Sequence, residues 1–151
     1  MNSLAERRRL LAFSHLRCQR GEQAVLRARQ QLQPLLLERS GFDEQEAALQ
    51  RLLASHRATD CVLDHGQLLA LLRTQAVIRR RIDLLRVERD RVDQRYRAVE
   101  QHVLQLREQL HEVQRKHDKY EHAVRQALRL QRLEAVRREE RELEEMMRVR
   151  R

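Results

Sequence analysis

The residues best suited to chemistry lie together at 117–122, where the sequence reads His-Asp-Lys-Tyr-Glu-His. Residues four apart share one face of a helix, so His117 with Glu121, or Asp118 with His122, has the spacing of one edge of a metal site. Lys116 directly precedes this segment and Lys119 lies within it, and His117 also falls in a heptad series, where polar residues usually set the register of paired helices. We therefore favour register over metal binding for His117.

Motifs of catalysis and nucleotide binding are absent from the sequence, which has no GxGxxG, P-loop, GxSxG or CxxC pattern. Its two cysteines, Cys18 and Cys61, are too few and too far apart to define a disulfide framework. We interpret them as reduced thiols, and we predict a protein that is not an enzyme and has no cofactor and no metal.

The composition favours long helices. The 151 residues are 36% charged and 3% aromatic, with three Gly, one Pro and no Trp. A compact fold needs turns, and turns need Gly, Pro, Asn and Asp, so the chain must run in long pieces. This excludes α/β, all-β and disulfide-stapled classes and leaves room for one domain at most.

The net charge of +9 is carried almost entirely by arginine, since only Lys116 and Lys119 are lysines. Arginine suits bidentate ion pairs, and acids are interleaved with it throughout, which is unlike a nucleic-acid arm or a polybasic lipid anchor. The N-terminus has no apolar signal segment, and the longest apolar run, 68–72, is far below a membrane span. We expect a cytoplasmic protein with no nucleic-acid partner and no membrane insertion.

Three places carry turn or cap signals. Pro34 predicts a kink or break near Gln33. The segment 40–43 and the spacing of Asp43 to Glu46 predict a new helix start, and Asp64 with Gln67 predicts another. The expected domain is thus one hairpin over 1–151: a first arm at about 3–57 with a kink or break near 34–42, a turn at about 58–63, and a second helix at about 64–148.

Heptad periodicity supplies the pairing surface of the second helix, which at 85 residues would span roughly 125 Å. Fifteen of eighteen positions in its two series are apolar, which is typical of a coiled coil. The series are Leu71, Ile78, Leu85, Val92, Val99, Leu106, Val113, Tyr120 and Ala127, and Leu68, Gln75, Ile82, Arg89, Tyr96, Val103, Leu110, His117 and Val124.

The partner of this surface is expected within the same chain. The first arm has its own seven-residue steps, with small residues in one series, so its seam buries less area. Its members are Leu4, Leu11, Cys18, Val25 and Leu32, with Ser14, Gly21 and Ala28, then Phe42 and Leu49. We predict an all-α fold, a long two-helix antiparallel coiled-coil hairpin. We expect this hairpin to be a monomer.

The last thirty residues overhang in this prediction. Glu134 and Arg138 are spaced for an i,i+4 ion pair, worth about 0.2–0.5 kcal/mol. Leu143, Met146 and Met147 leave an apolar strip with no partner in the hairpin. A solvated helix and a peg that inserts into another protein both remain open for this segment.

The segment 63–82 resembles a family. Its residues 71–82 read LLRTQAVIRRRI and match the LLRxQxxxRRxI stretch of type III secretion central stalk proteins, the SctO/YscO family of InvI/SpaM kind with the flagellar relative FliJ. The Lys-His-Asp-Lys-Tyr segment 116–120 and the Glu-rich end at 139–145 are similar too. The resemblance covers 63–147 and implies a two-helix antiparallel coiled coil.

The resemblance also implies partners. One end of the stalk is expected in the pore of the hexameric secretion ATPase, the other at the cytoplasmic domain of the export gate protein, and some members escort chaperones. The resemblance implies that the protein lies in the cytoplasm, peripheral to the inner membrane at the secretion apparatus. That apparatus would be an injectisome that serves virulence. The candidate residues are Arg7, Arg8, Arg9, Arg137, Arg138, Arg141, Met146 and Met147 at the ATPase end, and Leu71, Leu72, Gln75 and Ile78 at the gate end.

Two other readings stay open on the sequence alone. One is a generic coiled-coil scaffold, and the other is a dimeric zipper that binds nucleic acid, since a basic segment leading into heptads is the layout of such proteins. Oligomeric state separates them from the stalk, because an intramolecular hairpin is a monomer.

Overall fold

The computed structural model describes residues 3–57 and 61–149, and the regular structure in these ranges is entirely helical. Three helices follow one another: α1 (Leu4–Gln30), α2 (Leu32–Ser55) and α3 (His65–Val149). The predicted all-α class is confirmed. Residues 58–60 of the predicted turn lie outside the described ranges.

Capping boxes begin α1 and α3. At α3 the Gln67 N–H donates to Asp64 Oδ1 at 2.7 Å, and the Asp64 N–H donates to Gln67 Oε1 at 3.1 Å, as the sequence predicted. At α1 the Ser3 N–H donates to Glu6 Oε2 at 2.9 Å, and the Glu6 N–H donates to Ser3 Oγ at 3.3 Å. Each box satisfies N–H groups that have no partner within the helix.

The helix break falls at Gln31, before the predicted range 34–42, and α2 runs through Gly41 without interruption. Pro34 is the third residue of α2, so the N–H that it lacks belongs to the first turn, where no intrahelical acceptor is available. The predicted helix start at Asp43 is wrong. Glycine inside a helix costs only about 1 kcal/mol relative to alanine, which packing of the flanking residues outweighs.

Replacing Gly41 by alanine is expected to stabilise the protein by about 0.5–1 kcal/mol, because Gly41 is helical and a β-carbon there would meet no atom within 4 Å. Urea unfolding followed by circular dichroism measures the change. The reverse substitution Ala47→Gly, at an exposed position of α2, should destabilise by a similar amount. A loss of stability in Gly41→Ala would show that this backbone is not helical in solution.

The chain divides into two compact units. In the first, α1 up to Val25 packs against the part of α3 that begins at Gln105, and the helices are antiparallel: Arg7 lies against Ala123, and Ser14 lies against His117. A β-carbon on Gly21 would lie 2.9 Å from Leu110 Cδ1, so a larger residue there would require the Leu110 side chain to shift. Buried side chains are few among the described residues of this unit, which agrees with the thin seam predicted for the first arm. They are Ser14, Cys18 and Val124.

The second unit comprises residues 26–104, where α2 packs antiparallel on the first part of α3. The contacts again follow opposite sequence order on the two helices, since Glu38 contacts Arg95 and Glu46 contacts Arg86. Its buried side chains all belong to the predicted heptad series: Ala28, Ile78, Ile82, Leu85, Val92 and Val103. Leu85 and Val92, each 1% exposed, form the best packed point.

Candidate partner-binding surfaces

The three polar residues in the seam of α3 all have partners on the facing helix or, for Gln75, on the residue that caps its end. Gln75 Nε2 donates to the carbonyl of His56 at 2.8 Å, and Arg89 Nη1 donates to Glu46 Oε2 at 3.4 Å. His117 Nδ1 lies 2.9 Å from Ser14 Oγ. A shift by one heptad would leave each of these groups without its partner, so the polar positions specify register. The sequence indicated the positions but not their partners.

The hydrogen bonds of Ser14 determine the direction of its contact with His117. Ser14 Oγ also lies 2.8 Å from the Leu11 carbonyl, which can only accept, so the single hydroxyl proton goes there. His117 Nδ1 therefore donates to Ser14 Oγ. No group of three possible metal ligands occurs within residues 3–57 and 61–149. The preference for a register role at His117 agrees with this geometry.

Cys18 lies in the seam of the first unit, and its thiol is buried. Burial is the main cause that raises the pKa of Cys18, and the carboxylates of Glu22 and Asp118 raise it further, while Arg17 opposes them. The thiol therefore stays protonated at neutral pH and acts as a small apolar side chain. Cys61 is exposed.

A charged cluster crosses the second unit at Glu46, whose side chain is 12% exposed. Arg86 Nε donates to Glu46 Oε1 at 2.8 Å, while Arg89 reaches both Glu46 and Asp43. The hydrogen bond to Glu46 raises the pKa of Arg86 further, so this guanidinium stays charged. Glu46 thus serves ion pairing between helices and not the capping role that the sequence indicated.

The residues predicted for the ATPase end fall in two places within the first unit. Arg7 is half-buried and its Nη1 donates to the Ala123 carbonyl at 3.5 Å, whereas Arg8 and Arg9 are exposed. The second group of candidates lies further along α3 and is exposed: Arg137, Arg138, Arg141, Met146 and Met147. Arg137 follows Ala123, the contact of Arg7, by fourteen positions, which is about 21 Å along α3.

The tail of α3, residues 129–149, is exposed at every position. Its apolar side chains are Leu130, Leu133, Val136, Leu143, Met146, Met147 and Val149. No ion pair within 4.0 Å forms in this described part of the tail, so Glu134 and Arg138 do not make the pair that their spacing indicated. The charges and the apolar side chains of the tail both face solvent.

The residues predicted for the gate end differ in exposure. Leu72 is 49% exposed, but Leu71 and Gln75 are half-buried and Ile78 is buried in the helix pair. Ile78 therefore stabilises the hairpin and offers no surface to a partner. Sequence reasoning missed Leu68, Leu69 and Val77, which are exposed beside Leu72. The heptad pattern could have identified Leu69 and Val77 as exposed, because both lie outside the two seam series.

Comparison with known proteins gives one family. The family model described as Salmonella surface presentation of antigen gene type M protein matches residues 5–147. The chain belongs to this family. Its members are type III secretion stalk proteins, so the resemblance seen in the sequence is confirmed. No curated protein and no solved structure matched the chain.

The match to the type M family takes in both candidate ends. It includes Arg7, Arg8 and Arg9, the segment 71–78 of α3, and the tail through Met147. The family is one of structural stalk proteins. Among the described residues, none of the helices has an apolar stretch long enough to cross a membrane.

Proposed function

We propose that this member of the type M family is the central stalk of a type III secretion ATPase complex, joining the hexameric ATPase to the export gate. One observation carries the proposal. Helix α3 continues past its last half-buried residue, Leu128, as 21 residues exposed at every position, which is about 30 Å of helix. Such an end can enter a pore without disrupting the helix pair of the first unit.

The mechanism follows from symmetry. A single helix in a six-fold pore cannot contact all six subunits equally, so its binding free energy differs among their nucleotide states. A ligand that binds one state more tightly shifts the equilibrium towards it, and the stalk thereby biases ATP hydrolysis. Exposed arginines such as Arg8, Arg9 and Arg141 supply charge-assisted hydrogen bonds to acidic or carbonyl groups of the pore.

The other end of the proposed stalk is the turn of the second unit. Leu68, Leu69 and Leu72 are 40–49% exposed there, and they form an apolar surface suited to the cytoplasmic domain of the gate protein. In this proposal the protein lies in the cytoplasm beside the inner membrane. Escort of secretion chaperones belongs to the same proposal.

The alternative of a dimeric nucleic-acid zipper finds less support. In each unit the heptad surface of α3 is already covered by a helix of the same chain. A zipper would need that surface for a second copy.

Removing residues 129–151 is expected to abolish stimulation of the secretion ATPase, since the inserted helix is lost while the pairing of both units remains. ATP hydrolysis by the purified hexamer, with and without the full chain, measures this.

The matched variant Leu68→Asp with Leu69→Asp and Leu72→Asp should keep stimulation and lose binding to the gate domain. Replacing Arg7, Arg8 and Arg9 by Glu should also lower stimulation.

Circular dichroism of each variant controls for folding. Full stimulation by the truncated chain would refute the insertion of the tail, and unchanged gate binding by the triple Asp variant would refute the assignment of the turn.

A further inference from the structure

The apolar stripe of the tail lies on a different side of α3 from the seam. Val124 is the last buried seam residue, and Leu133 follows nine residues later. At 3.6 residues per turn, nine residues place Leu133 about 180° around the helix from Val124. Val136, Leu143 and Met147 continue the stripe at spacings of three, seven and four. A straight continuation of the surface that α1 covers would therefore miss it.

The charges of the tail are segregated along its length. Residues 129–138 contain four arginines and one glutamate, a net charge of +3. Residues 139–148 contain five glutamates and two arginines, a net charge of −3. None of these charges forms an ion pair within the part of the tail that the structure describes. The exposed apolar stripe thus joins a basic half to an acidic half.

We propose that the tail is a self-association surface, on which the tails of two copies of the chain pair antiparallel. A second copy in this orientation sets the basic half of each tail against the acidic half of the other, and a two-fold axis gives both contacts at once. Parallel pairing would stack like charges along the whole length, which is unfavourable.

The apolar stripe has the same symmetry. With the axis near Glu140, Leu133 of each copy faces Met147 of the other, and Val136 faces Leu143. All four side chains are 48–74% exposed in the single chain. On the flanks of the stripe, Arg137 meets Glu144 across the pair. Apolar contact supplies the association, and the charges select its direction.

This pairing departs from the monomer predicted from the sequence, but it leaves each hairpin intramolecular because it uses the tail and not the heptad seam. Its consequence for regulation rests on the proposed function. Because the ATPase pore would take the same tail, a self-paired chain must separate before it docks. The pairing itself is independent of that function and is measured without any ATPase, so failure of one leaves the other open to its own test.

Sedimentation equilibrium of the full chain over a range of concentrations tests the pairing. The unmodified chain should approach twice its monomer mass, while truncation of 129–151 should leave a monomer. Arg137→Glu with Arg138→Glu should weaken association at least tenfold, as should Glu144→Arg with Glu145→Arg. Combining all four substitutions reverses both halves and should restore association to within about threefold of the unmodified chain.

A matched charge reversal at Arg80 and Arg81, both exposed and outside the tail segment, should leave association unchanged. Circular dichroism confirms that each variant is helical. A chain that stays monomeric at every concentration overturns the proposal and leaves the apolar stripe to the ATPase alone. Association that survives either double reversal, or that the fourfold variant fails to restore, also overturns it.

Discussion

Replacing Leu85 by alanine is expected to lower the free energy of unfolding by about 2–5 kcal/mol. Leu85 is 1% exposed and lies at the best packed point of the second unit, beside Val92 in the heptad series. Truncation there removes buried methyl groups and leaves a cavity that two rigid helices cannot close. Urea unfolding followed by far-ultraviolet circular dichroism measures the loss.

The neighbouring residue provides the control. Leu84 has the same side chain and helix context but is 48% exposed, so Leu84→Ala should change stability by less than about 1 kcal/mol. Equal effects at the two positions would mean that Leu85 does not face α2, and the heptad assignment of α3 would then be incorrect.

Glu46→Ala is expected to destabilise the protein by about 1–3 kcal/mol, because Arg86 and Arg89 both lose their contact with Glu46 and Arg89 keeps only weaker contacts with more exposed carboxylates such as that of Asp43. Glu46 is 12% exposed and Arg89 is 32% exposed, so solvent replaces the lost contact only in part. Thermal and urea unfolding at low and high salt measure the effect, which should persist at high salt since the pair is partly buried.

Glu44 provides the comparison for this second prediction. It is an exposed glutamate on the same helix, and Glu44→Ala should be nearly neutral. A double-mutant cycle of Glu46→Ala and Arg89→Ala isolates the pair, and we expect a coupling energy of about 0.5–3 kcal/mol. Additive effects would show that the two residues do not interact.

Much of the pairing surface of α3 could be predicted from heptad spacing. Between Leu71 and Ala127, the members of both heptad series are buried or half-buried. Tyr120, at 36% exposed, is the exception. The reason is geometric: residues that recur every 3.5 positions stay on one side of a helix, so a long series determines its buried face. The capping box at Asp64 was predictable for a similar reason, because both of its hydrogen bonds are local.

The first arm was less predictable, because its local signals compete with packing. Gly41 and Asp43 together favour a break, yet α2 is continuous there and the break lies at Gln31. Glu46 could cap a helix or pair across the seam. The positions of Arg86 and Arg89 on the facing helix determined which of these occurs, and sequence spacing within the first arm contains no record of them.

The candidate surfaces show the same limit. Ile78 and Leu72 are both apolar residues in the segment that resembles the stalk family, but one is buried and the other exposed. The arginines at 7–9 and those of the tail are separated along α3 by the register of the pair, which tertiary contacts such as that of Ser14 with His117 define.

The sequence by itself determined the helical class, the buried face of α3, its start at Asp64 and the resemblance to the type III secretion stalk family. These properties depend on composition, local hydrogen bonds and periodicity, which are complete within one stretch of chain. Only the tertiary structure decided where the first arm breaks, which partners the polar seam residues have, and which predicted site residues remain exposed. These depend on contacts between residues far apart in the chain, whose free energies outweigh local preferences of about 1 kcal/mol.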